Sequence, residues 1–88
     1  MEITKLYDAL DGLCAYDTGA TDSGIKDDNL RSEVKGYLKG LDKDQFRMVI
    51  SSFIRESFLT ETRLQQGYGI KDVVAFIEWL DESMNINL

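Results

Sequence analysis

Apolar residues recur at intervals of three and four in four separate stretches of this chain, and no proline falls anywhere in its 88 residues. That spacing gathers apolar side chains on one face of a helix, and proline is the residue that most strongly interrupts one. No segment sustains the alternation of apolar and polar residues that marks a half-buried strand. The predicted fold is all-α, a single helical domain over residues 1–88. It is a compact bundle of four helices, or five if a short segment after Thr60 forms its own turn, with one long acidic loop between helices 1 and 2.

The first helix is expected from Ile3 to Tyr16, with Ile3, Leu6, Tyr7, Leu10, Leu13 and Cys14 as its stripe and Asp8 and Asp11 opposite. The second runs from Asp28 to Lys39. Asp27 or Asp28 suits the free amides of its first turn, and Gly40 suits its end. Asp42-Lys43-Asp44-Gln45 has the spacing of a capping box and opens a third helix carrying Phe46, Val49, Ile50, Phe53 and Ile54. Met48 widens that stripe, so this helix is predicted to be the central one. Thr60 either lies in a continuation to Gly67 or caps a separate short helix. After the break at Gly67-Tyr68-Gly69, the last helix is expected from Ile70 to Met84. Ile70, Val73, Val74, Ile77, Leu80 and Met84 would face the core, and Phe76 and Trp79 a flank. Asn85 to Leu88 should fray.

Composition narrows the chemistry. There is no His, the side chain that ordinarily titrates near neutral pH, and Cys14 has neither a second thiol nor an imidazole to activate it. Glu56, Glu61, Asp72 and Glu78 are carboxylates on expected helix surfaces, with no spacing that selects an acid–base pair. The segment DTGATDSGIKDD, Asp17 to Asp28, fails as a calcium loop. Counted from Asp17, Gly19 falls at position three, Asp22 at six and Asp28 at twelve, where the chemistry needs a ligand, a turn glycine and a bidentate Glu. The chain resembles carrier proteins in size, acidity and helical layout. Those domains hold a prosthetic group on the Ser of an Asp-Ser-Leu motif that opens the second helix. Asp22-Ser23-Gly24 departs from it at the third residue and lies ahead of the helix, so the resemblance brings no prosthetic group with it. No catalytic residue, cofactor or metal site is assigned.

The formal charge of −6 is unevenly spread. Residues 1–30 hold seven carboxylates against two lysines, residues 31–65 seven basic side chains against five acidic, and residues 66–88 four carboxylates against Lys71. Such a balance disfavours direct contact with nucleic acid. One cysteine and the lack of a basic, apolar leader point to the cytoplasm, and no apolar run approaches the roughly 20 residues that span a bilayer. Two groups stand out as partner-binding candidates: the acidic Asp17, Asp22, Asp27 and Asp28, and the aromatic Tyr68, Phe76 and Trp79. Together they predict a small non-enzymatic protein that binds or regulates another protein, or pairs with itself as a homodimer. The alternative is a nucleic-acid-mimicking inhibitor of a DNA- or RNA-binding protein, with carboxylates in place of phosphates. If the loop aspartates face a basic partner, Asp17→Asn with Asp22→Asn should leave folding stability nearly unchanged and weaken binding through a slower on-rate at low salt.

Overall fold

The computed structural model describes residues 1–19 and 24–86. Within them the chain is all-helical: α1 (Ile3–Asp17), α2 (Asp28–Lys39), α3 (Lys43–Ser57), α4 (Glu61–Gln65) and α5 (Ile70–Glu82). Side-chain caps mark the starts. The Asp27 carboxylate accepts from the Leu30 amide at 3.0 Å. Asp42 accepts from the Gln45 amide at 2.8 Å while Gln45 Oε1 accepts from the Asp42 amide at 3.2 Å, closing the capping box. Thr60 Oγ1 accepts from the Arg63 amide at 3.2 Å, so the segment after α3 is a separate one-turn helix rather than a continuation. Asp72 accepts from the Gly69 amide at 2.9 Å and holds the entry to α5.

The core is one cluster. Leu6, Leu10 and Leu13 of α1 meet Val34 and Leu38 of α2, Phe46, Ile50 and Phe53 of α3, and Phe76, Trp79 and Leu80 of α5. α1, not α3, holds the middle, because it lies against both α2 and α5. α3 buries a single face and leaves Met48 in solvent. Phe53 is the aromatic hub, with ring centroids 5.5 Å from Tyr7, 5.8 Å from Phe58 and 4.8 Å from Phe76.

Three further expectations need correction. α5 is rotated from the predicted stripe: Phe76 and Trp79 are 1% and 3% exposed, whereas Ile70 and Val74 are 72% and 47% exposed. Val73, Phe76, Ile77 and Leu80 also repeat at three and four, and this register buries the two large rings, which remove more apolar area from water than Ile and Val do. The chain after α5 does not fray at residues 85–86. Asn85 adopts φ 54°, the Met84 amide bonds back to Trp79 O at 3.2 Å, and the Ile86 amide to Leu80 O at 2.9 Å. This left-handed cap folds Met84 and Ile86 into the core.

The third correction concerns the long connection. Its C-terminal part is packed on α1 rather than solvated. The Ile25 amide donates to Gly12 O at 2.9 Å, and the Ile25 side chain fills the space beside Gly12. Gly24 lies so close to α1 that a Cβ there would stand 2.9 Å from Tyr16 Cα. Among the described residues no helix is long and apolar enough to cross a membrane.

Candidate functional site

Asp17, expected as a free carboxylate of the acidic loop, is the last residue of α1 and is fully engaged. Its Oδ2 and Oδ1 accept from Arg31 Nη1 and Nη2, each at 2.8 Å. Oδ2 also accepts the Trp79 indole N–H at 2.7 Å. One carboxylate thereby ties the end of α1 to the first turns of α2 and to the inner face of α5. The ion pair is partly enclosed, with the Asp17 side chain 19% and that of Arg31 26% exposed. The Arg31 hydrogen bonds hold the Asp17 carboxyl below the usual carboxylate range. Partial burial opposes them, and the Trp79 hydrogen bond and the Arg31 charge add to them. The indole, a donor only, has its buried N–H satisfied here. Trp79 and Phe76 are thus core residues, and Asp17 is a structural tie.

The other aspartates separate. Asp27 is spent as the cap of α2. Asp28 lies exposed in the first turn of that helix. Asp22 lies outside the described residues. The fourth ring, Tyr68, is half-buried, stacks on Phe58 with centroids 6.1 Å apart, and carries the Arg63 guanidinium 5.1 Å above its ring.

Tyr68 borders an open-sided cleft of about 680 Å³ between the C-terminal half of α1 and the α4–α5 segment. Cys14, Ala15 and Thr18 form one wall; Arg63, Tyr68 and Lys71 form the other. Its floor is closed, because Phe53 and Phe76 show almost no surface to solvent. Burial, then the nearby Asp11 and Asp17, push the Cys14 thiol up to about 11. It is therefore a neutral thiol at physiological pH and a poor nucleophile. No group of three or more potential metal ligands occurs among the described residues.

Among the described residues, Met48, Leu64 and Ile3 are exposed singly, and the outer face of α5 presents two exposed apolar side chains together. Ile70 and Val74 lie one turn apart there, with Lys71, Ala75 and Glu78 exposed beside them. Sequence reasoning placed Ile70 and Val74 in the core and so missed this face. The signal that would have exposed it is the second three-and-four register through Phe76. Likewise, nothing in the spacing linked Asp17 to Arg31, fourteen residues on across the loop. Comparison with known protein families, curated proteins and solved structures gives no match.

Proposed function

We propose that this chain is a non-enzymatic binding protein that acts through protein–protein contacts made by the outer face of α5. The observation that carries this reading is the exposure of Ile70 and Val74, at 72% and 47%, on a helix whose opposite face is fully packed. Scattered single apolar residues on a surface mean little. Two β-branched residues stacked one turn apart, ahead of a half-buried Ile77, make a continuous apolar strip instead. The small mixed-charge border of Lys71 and Glu78 is the kind of polar rim that surrounds such strips in interfaces.

The acidic first third has a lesser part in this reading. Asp17 and Asp27 are committed to internal hydrogen bonds, while Glu2, Asp8, Asp11 and Asp28 are exposed carboxylates.

The test is capture of partners from the native cell by the full chain and by Ile70→Glu and Val74→Glu variants of unchanged circular dichroism. Loss of the same partner in both variants supports the reading. A partner retained by both would move the interface elsewhere, first to Tyr68 and Arg63.

A further inference from the structure

We infer that the occupant of the α5 outer face is a second copy of this chain, packed with its α5 antiparallel about a two-fold axis near Val74. The inference rests on the preceding reading of that face as the binding surface. Charge order along the helix carries it. Lys71 is the only basic residue of α5, and Glu78 lies seven residues on, two turns along the same exposed side. In an antiparallel pair whose two-fold passes between positions 74 and 75, Lys71 of each copy stands opposite Glu78 of the other. Val74 then lies beside its own equivalent, one residue out of register. The acidic C-terminal turn, Asp81 and Glu82, is carried toward the positive N-terminal end of the other helix.

A parallel pair has none of this. In a parallel two-fold pair the Lys71 and Glu78 side chains of the two copies fall on opposite edges of the contact, so neither charge meets its complement. The face is self-complementary in one orientation only, as a two-fold interface requires. A helix of 13 residues offers less than the roughly 800 Å² per partner of a stable interface. The pair is therefore weak.

The experiment is sedimentation of the full chain from about 10 µM to about 1 mM, a range that suits a weak pair. It compares the unaltered protein with K71E, E78K, the double variant K71E/E78K and V74E, each checked by circular dichroism. The unaltered chain should show a reversible monomer–dimer equilibrium. Each single charge reversal should weaken it by about 5- to 30-fold, because two pairs per dimer become repulsive. The double reversal should restore it, since each antiparallel pair is then attractive again with its two signs exchanged, and V74E should abolish it. A V74C variant should form a covalent dimer under mild oxidation, while Cys14, neutral and half-buried, stays out of the reaction.

A clean monomer throughout, or a dimer indifferent to K71E and E78K, overturns the proposal. So does failure of the double reversal to restore association. None of these results bears on partner capture by Ile70 and Val74, which tests the broader reading separately.

Discussion

At the C-terminal end of α5, Trp79, Leu80, Met84 and Ile86 are enclosed, and the indole is hydrogen-bonded across the molecule to Asp17. At its N-terminal end, Ile70 and Val74 face water, and α4, which leads into it, buries no residue. The two ends of one 13-residue helix thus serve opposite purposes. One joins three helices through apolar packing and a charge-assisted network; the other packs on the core only through Val73 and Tyr68 and leaves its remaining apolar side chains in water. Stability concentrates where long-range contacts converge, and a surface can be given to binding only where folding does not depend on it.

Substitutions should reproduce that asymmetry. Trp79→Ala has the largest expected effect, a loss of about 3–5 kcal/mol. It removes a ring enclosed to 3% exposure and strands the Asp17–Arg31 pair beside a cavity. In a domain this small that loss approaches the whole stability. Urea unfolding followed by circular dichroism measures it. A change under about 1 kcal/mol would mean the indole is not a core element.

Next comes Asp17→Asn, expected to cost about 1–2 kcal/mol, because a two-oxygen partner of Arg31 becomes a neutral amide while both groups keep some contact with water. This reverses the expectation from the sequence that Asp17 is dispensable. Asp28→Asn, from the same acidic stretch, should stay within about 0.5 kcal/mol, since Asp28 is exposed. Equal effects of the two in parallel denaturation curves would erase the distinction between tie and solvated carboxylate.

Acid should act through the same tie. The Asp17 carboxyl is depressed in the folded state, so its contribution is complete above the ordinary unfolded value near 3.9. It is lost as the pH falls below that value and through the lower folded one. The stability gap between the parent chain and Asp17→Asn should therefore be constant from about pH 7 to pH 5 and narrow below about pH 4. Urea midpoints across that range give the answer, and a gap that widened in acid would contradict it.

The smallest expected effect is at the other end. Ile70→Lys should alter stability by less than about 0.5 kcal/mol, because the side chain is already 72% exposed. A loss of about 2 kcal/mol would place Ile70 in the core after all and remove the basis for the α5 interface.

Periodicity within the sequence located α1, α2 and α5 to within two residues and the start of α3, and short-range chemistry marked those starts; the end of α3 was left open. The capping box at Asp42 and Gln45 and the Asp27 cap act over three residues, so they are readable from the chain itself. The Thr60 cap was readable as a choice, and the Arg63 amide contact resolved it as a separate turn. These interactions are local and scarcely depend on what surrounds them.

Which face of α5 turns inward was decided only by tertiary structure, because two overlapping registers of apolar residues were available and the volume of Phe76 and Trp79 had to be filled from one side. The role of Asp17 was likewise set from afar. Its partners lie 14 and 62 residues away, and a carboxylate's chemistry is the same in the sequence whether it meets water, a guanidinium or an indole. Local order was written in spacing and caps; the distribution of buried and exposed surface, and with it the candidate interface, arose from competition among residues that meet only when the chain is folded.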